Sequence, residues 1–117
     1  MNLDIVPSSL EQAVKVIIDD LKEDELDFIQ NNSPVDVHFS FGAFLRNAWS
    51  LWDTETILVQ HFLNKYNIGH ADDISSLILD CVWRQVKGQK WEVEKHVDKC
   101  HKHWLKFGLP ENGIERE

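Results

Sequence analysis

Turn-forming residues are scarce in this chain of 117 residues, which has five glycines and three prolines. Because chain reversals commonly use these residues, their scarcity favours a few long helices over many short strands. Two cysteines are too few for a disulfide framework and indicate a reducing, cytoplasmic location. The chain also lacks an apolar run of about 20 residues, such as a bilayer requires, and its N-terminus has no basic flank typical of a signal peptide. We therefore expect no membrane association.

Apolar residues recur with the 3.6-residue period of an α-helix along most of the chain. Their stripes predict six helices, near 9–21, around Leu26–Ile29, along Phe41–Trp52, along Leu58–Tyr66, along Ile74–Val86 and at 91–107. The fifth stripe is the widest, which predicts a central helix that forms most of the core together with the third. The sixth helix is expected to pack its apolar stripe on this bundle or on a second copy of itself.

The helix ends are predicted from capping residues. Ser8 and Glu11 form the S-x-x-E pattern of a capping box before the first helix. Pro34 is expected to end the second helix, since proline biases its predecessor away from helical geometry. Asp53 and Thr54 are the candidate caps of the fourth helix, and Gly69 is the candidate left-handed residue that ends it.

We therefore predict an all-α fold, a single compact bundle of five to six helices. The domain spans residues 1–108, and residues 109–117 are predicted to be a flexible tail. Proline, asparagine and glycine lie within that tail, which is typical of frayed chain ends.

Charge is unevenly distributed along the chain. Twenty acidic and twelve basic residues give a net charge of −8. Residues 1–80 carry 14 acidic and 4 basic residues, a net charge of −10, whereas residues 81–107 have a net charge of +4. An acidic surface repels nucleic acid, so a nucleic-acid partner is not expected and a protein partner is.

Two segments, Gly42–Trp52 and Ile68–Ser75, resemble a family of small helical bacterial and phage domains of unknown function. That family carries the pattern G-x-x-x-R-N-x-W-x-L-W followed by G-I-x-H-P-D-D-M-S. The resemblance covers about residues 20–88, and this chain departs from it at Ala71, where the family pattern has proline. The resemblance implies a helical fold but no activity, and the helix at 91–107 looks like an addition to the family core.

Polar residues of these two segments form the first candidate site, either for a ligand or for a partner: Arg46, Asn47, His70, Asp72 and Asp73. An arginine, an amide, an imidazole and two carboxylates could bind a phosphate or a metal ion. We favour a structural interpretation, in which His70 is the N-cap of the fifth helix and both aspartates lie at the positive end of its dipole. Asp73 would then return a bond to the backbone of His70, and Arg46 would pair with one of the acids.

The sixth helix carries a weak candidate for a metal site, His96, Cys100 and His103 at positions i, i+4 and i+7. A structural zinc site needs four ligands, and no C-x-x-C pair supplies the rest. We therefore expect no metal and no cofactor.

The same region supplies a candidate interface, which comprises two tryptophans beside Gly88 and a lysine stripe: Trp83, Trp91, Lys95, Lys99, Lys102 and Lys106. A basic amphipathic helix can bind phosphates or membranes, but three acidic residues dilute this one, so a solvated face is the favoured interpretation. Tryptophan is common in interface hot spots, which makes Trp83 and Trp91 the candidates for exposure to a partner.

Linear catalytic motifs such as G-x-S-x-G, the Walker loop and H-E-x-x-H do not occur in the chain. We therefore expect a non-enzymatic protein-binding module, of the kind represented by small phage or mobile-element inhibitors, anti-defence factors and immunity proteins. The alternative is a small ligand-binding protein or enzyme that uses the Arg46 cluster. A homodimer through the C-terminal helix also remains open.

Overall fold

Six α-helices account for most of residues 1–114, the part of the chain that the computed structural model describes. They are α1 (Leu10–Asp19), α2 (Glu23–Asn31), α3 (Pro34–Ala48), α4 (Ile57–Tyr66), α5 (Ala71–Val86) and α6 (Val93–Lys106). No strand occurs in that range, which confirms the predicted all-α fold of five to six helices. None of the six helices combines the length and apolar composition needed to cross a membrane.

Helix α5 lies at the centre of the bundle, as its wide apolar stripe predicts. It packs against α1, α2, α3 and α6, and its contact with α3 is the most extensive. Eight of its residues are buried: Ile74, Ser75, Leu77, Ile78, Leu79, Asp80, Cys81 and Val82. Helix α1 buries four side chains and α3 buries three residues, so the core is shared more evenly among the partners of α5 than the sequence predicts.

Helix α3 begins earlier than its predicted stripe. Ser33 is its N-cap and forms a capping box with Asp36, and Pro34 occupies the first turn, where its missing N–H costs nothing. The proline expected to end α2 therefore also starts α3. The predicted stripe does not hold as a continuous buried face. Within α3 the buried residues are Val37, Gly42 and Leu45, and Phe44 is 50% exposed. Trp52 lies beyond the end of α3 at Ala48 and is 60% exposed.

Two helix starts differ from the predictions by one or a few residues. Ser9, and not Ser8, caps α1 by accepting a hydrogen bond from the backbone N–H of Gln12, while Ser8 bonds the side chain of that glutamine. Thr56 caps α4 in place of Asp53 or Thr54. Each correction reflects a choice among adjacent polar residues that share the same capping chemistry.

The end of α4 also differs from the prediction. Asn67 adopts the left-handed conformation, with φ of 53°, and Gly69 does not. Position 69 instead requires glycine because neighbouring side chains leave no room for a Cβ. A Cβ there would lie 2.4 Å from Cδ1 of Ile114 and 2.6 Å from Cδ2 of Leu63. The glycine therefore permits close packing of a later segment against the α4–α5 loop.

That later segment, residues 109–114, belongs to the predicted flexible tail, whose remaining residues 115–117 lie outside the described part of the chain. The backbone N–H of Gly69 donates to the carbonyl of Asn112 at 3.0 Å, and the side chain of Asn67 donates to Glu111 at 2.7 Å. Helix α6 buries Val97 and Cys100 against the rest of the same chain. The C-terminal region thus packs on the bundle and covers the start of α5.

Candidate functional site

A buried hydroxyl joins α3 to α5 at the predicted Arg46 cluster. The Oγ of Ser75 is fully buried and donates a hydrogen bond to the carbonyl of Asp72 at 3.1 Å. Because its one proton is used there, this oxygen accepts from Nη1 of Arg46 at 3.2 Å and from Nε2 of His38 at 2.8 Å. Arg46 also pairs with the Asp72 carboxylate at 3.2 Å, so the predicted ion pair with a helix-start acid is confirmed.

Gly42 makes this junction sterically feasible. On α3 it lies four residues after His38 and four before Arg46, so all three residues share one helix face. A Cβ at Gly42 would lie 2.8 Å from Nη1 of Arg46 and 2.9 Å from Cδ2 of His38. The absent side chain leaves the space through which both neighbours reach Ser75. Arg46, from the first resembling segment, therefore contacts Ser75 and Asp72 of the second, and Gly42 leaves the space for this contact.

His70 caps α5 as predicted, since its Nδ1 accepts a hydrogen bond from the backbone N–H of Asp72 at 3.1 Å. The predicted return bond from Asp73 to the backbone of His70 is not formed. Asp73 instead accepts a 2.7 Å hydrogen bond from the indole Nε1 of Trp104 in α6, whose ring stacks on His70 with centroids 4.8 Å apart. Asp73 therefore bonds a residue of α6 and not the backbone of its own helix turn.

Four of the five predicted site residues make contacts that stabilise the fold. Arg46 is paired with Asp72, His70 is a helix cap beneath Trp104, and Asp73 is held by that tryptophan. Asn47 is exposed and takes no part in these hydrogen bonds among the described residues. Because these four side chains already have partners within the protein, this arrangement favours the capping interpretation over a phosphate or metal site.

The weak metal candidate is not assembled. No group of three potential ligands in residues 1–114 is placed to hold a metal ion. His96 bonds Ser76, and His103 packs edge-on against Trp104 and Phe107. Burial raises the pKa of the Cys100 thiol to about 12, which disfavours the thiolate that a metal needs.

The predicted interface residues are divided between packing and solvent. Trp83 and Trp91 are partly buried against the core and donate hydrogen bonds to Asn32 and Gln85. The lysine stripe is exposed: Lys95, Lys99, Lys102 and Lys106. Two of these lysines pair with acidic residues of their own helix region, Lys95 with Glu92 and Lys102 with Asp98. This geometry supports a solvated face.

The most exposed aromatic residue lies on α3 and was not among the predicted site residues. Phe39 is 91% exposed, and Val35, one turn earlier on the same face, is 75% exposed. The signal was available in the sequence, because starting α3 at Pro34 puts Phe39 outside the apolar stripe. The predicted stripe began at Phe41 and therefore passed over it.

A cleft between the start of α3, the middle of α5 and α6 was also missed. It has a volume of about 380 Å³ and is lined by Pro34, Val35, His38, Ser76, Asp80, Arg84, His96 and Lys99. Asp80 is buried and bonded by Nε of Arg84 at 3.0 Å. Burial lowers the pKa of both His38 and His96, which keeps their imidazoles neutral near pH 7. No linear motif marks this cleft, because its walls come from three helices.

Taken together, the fold and these contacts define a small all-α domain whose motif residues hold helices together. The chain belongs to the family described as Domain of unknown function (DUF6794), whose family model matches residues 6–86. That match includes α1 and ends with α5, so α6 and the segment at 109–114 lie outside it. Neither a curated protein nor a solved structure matches the chain.

Proposed function

We propose that this protein is a protein-binding module that uses the outward face of α3. The observation that carries the proposal is the exposure of Phe39, at 91%, beside Val35 at 75%. Exposing an apolar ring of this size to water is unfavourable, and contiguous exposed apolar surface commonly marks an interaction site. Aromatic side chains are also enriched among the residues that dominate binding energy.

The charge around this face favours a basic, partly apolar partner. Residues 1–80, which include α3, carry a net charge of −10. Within α3 the one arginine or lysine is Arg46, which is paired with Asp72, while Asp36 lies in the first turn. The face therefore offers apolar contact without an unpaired arginine or lysine of its own, in a region of negative potential that attracts basic proteins.

The alternative, a ligand-binding protein or enzyme built on the Arg46 cluster, has less support. Arg46 is paired with Asp72, His70 accepts from a backbone N–H and Asp73 accepts from Trp104, so a ligand would have to displace these contacts. The protein-binding proposal requires no such displacement.

We extend the proposal to the biological setting. The resemblance of Gly42–Trp52 and Ile68–Ser75 to a bacterial and phage pattern supports a small cytoplasmic inhibitor, anti-defence or immunity-type factor from a phage or mobile element. A basic nucleic-acid enzyme is a suitable target, since an acidic protein surface can take the place of its polyanionic substrate. The small size and acidic charge of the chain support this assignment.

The test compares two variants that each replace an exposed apolar side chain with aspartate. Phe39→Asp alters the proposed face, and Ile57→Asp is the matched control, because Ile57 is 76% exposed at the start of a different helix. Each tagged protein is used to capture partners from the native host, and any partner found is then purified and titrated by calorimetry. We expect Phe39→Asp to weaken binding at least tenfold while Ile57→Asp binds like the wild type. Equal binding by both variants would refute the use of this face.

A further inference from the structure

A second polar cluster on α5 lies one residue beyond the Ser75 junction. Ser76 and Asp80 are four residues apart on α5, and His96 reaches them from α6. The Oγ of Ser76 lies 3.0 Å from Nε2 of His96, and Nδ1 of the same ring lies 3.9 Å from Oδ2 of Asp80. A hydroxyl on one ring nitrogen and a carboxylate beside the other is the order of groups found in serine hydrolases.

A buried carboxylate lies beside Nδ1 of His96. Asp80 is only 11% exposed, and its Oδ2 atom lies beside Nδ1 while it accepts a 3.0 Å hydrogen bond from Nε of Arg84, whose positive charge offsets part of its own. In the tautomer that carries its proton on Nδ1, beside this carboxylate, Nε2 of His96 accepts the hydroxyl proton of Ser76. The Nδ1–Oδ2 distance exceeds a direct hydrogen bond, so Asp80 acts on the ring through its charge.

The cluster opens into the cleft between α3, α5 and α6. A volume of about 380 Å³ suits a small molecule. Pro34 and Val35 form an apolar part of the wall, and Lys99 brings an ammonium group to the same cleft. The cleft therefore combines a hydroxyl bonded to a neutral imidazole, an apolar wall and a positive charge.

We infer that Ser76 is an activated nucleophile and that this cleft cleaves small carboxylic esters with a short apolar acyl group. The Oγ of Ser76 attacks the ester carbonyl carbon while Nε2 of His96 takes the hydroxyl proton. The carbon–oxygen bond to the alcohol breaks, and His96 returns the proton to the departing alkoxide. A water molecule then attacks the acyl-serine, with His96 again as base, and the carboxylic acid and the free hydroxyl are released.

Turnover is expected to be slow because the cleft lacks backbone donors at Ser76. This residue lies inside α5, where neighbouring N–H groups are committed to helix bonds. Lys99, on the cleft wall, provides a positive charge in place of a backbone oxyanion hole for the developing negative charge on the carbonyl oxygen. An ester with a good leaving group, such as a nitrophenolate, acylates the serine faster than water cleaves the resulting alkyl ester, so the acyl-serine accumulates with such a substrate. The inference does not depend on the protein-binding role of α3.

The experiment mixes the purified protein with p-nitrophenyl acetate and follows both p-nitrophenol release and the intact mass. We expect a burst close to one equivalent and a mass increase of one acetyl group at Ser76. Ser76→Ala should give no adduct at this position because it lacks the nucleophile, and His96→Gln should slow acylation about 100-fold, the usual contribution of a positioned base. Ser40→Ala and His103→Gln serve as matched controls, since both residues are exposed and outside the cleft lining, and should acylate like the wild type.

Circular dichroism first establishes that each variant is folded. Should His96→Gln unfold, Ser76→Cys supplies the second comparison, because the thiol retains a nucleophile at the same position and should be acylated where Ser76→Ala is not. Acylation of Ser76→Ala at the wild-type rate, or a wild-type protein without any adduct on Ser76, would overturn the inference.

Discussion

Trp104 donates a 2.7 Å hydrogen bond from its indole nitrogen to Oδ2 of Asp73, which ties α6 to the first turn of α5. The same ring stacks on His70, the N-cap of α5, and packs beneath Gly113, where a Cβ would lie 2.6 Å from the indole nitrogen. A residue outside the family match therefore covers the start of the central helix of the family domain.

This contact predicts the effect of Trp104→Phe. The substitution retains an aromatic ring over His70 but leaves the Asp73 carboxylate without its indole donor. We expect a loss of about 1.5–3 kcal/mol of unfolding free energy, the usual value of a hydrogen bond to a charged group. Urea denaturation measures it. Trp52→Phe is the control, because Trp52 is 60% exposed, and its unfolding midpoint should match the parent. Equal midpoints for both variants would mean that the indole bond does not hold α6.

Arg46→Ala is expected to destabilise the protein. The guanidinium donates a hydrogen bond to the buried Ser75 hydroxyl and forms an ion pair with Asp72. Because the Asp72 side chain is exposed, water screens the ion pair and most of the effect comes from the buried hydrogen bond. Loss of the buried donor should lower the unfolding free energy by about 1–3 kcal/mol. Thermal melting should fall by several degrees, whereas Lys15→Ala, which breaks an exposed pair with Asp19, should change little. A melting temperature within about one degree of the parent would contradict the junction and reopen the ligand-site interpretation.

Gly42→Ala tests the close approach of α3 and α5. Alanine is favoured over glycine in a helix by about 1 kcal/mol, so an unconstrained site would gain stability. At this position the added methyl group meets Arg46 and His38 at 2.8 and 2.9 Å, and both side chains must shift away from Ser75. We expect a net loss of about 1–3 kcal/mol by urea denaturation. The exposed Ser40→Ala on the same helix should be neutral or slightly stabilising, and a gain for Gly42→Ala as well would show that the space is not needed.

Stability should fall in mildly acidic solution because three partly buried histidines favour the neutral form. Burial lowers the pKa of His38, His61 and His96 in the folded protein, below the ordinary value of about 6.5. The contribution of these histidines to the unfolding free energy is therefore fully present above about pH 6.5. It declines as the pH falls further, because the unfolded chain binds these protons at a higher pH than the folded protein does.

His61 gives this pH effect a specific test. Its Nε2 accepts a hydrogen bond from the backbone N–H of Leu10 at the start of α1, and a protonated ring could not accept it. The charges that face His61 are Glu11 and Lys65, with opposing effects on its pKa. Melting temperatures at pH 7.5 and 5.5 should differ less in His61→Gln than in the wild type. The exposed His103→Gln should leave the difference unchanged, and a parent melting temperature that is flat between the two pH values would refute the prediction.

The sequence by itself determined the features that depend on one helix turn. The 3.6-residue period located six helices, the wide stripe of Ile74–Val86 marked the central one, and His70 was identifiable as its cap because capping involves only adjacent residues. Even here, neighbouring polar residues with equal capping chemistry, such as Ser8 and Ser9, could not be told apart.

Only the tertiary structure decided which groups from different helices meet. Asp73 takes its partner from α6 instead of its own turn, Ser76 lies against His96 twenty residues away, and Phe39 is left outside the packed face. Periodicity indicates that a face is apolar, but the crossing of two helices determines which side chains touch. The candidate cleft depends on such crossings of α3, α5 and α6, so no spacing within the chain could reveal it.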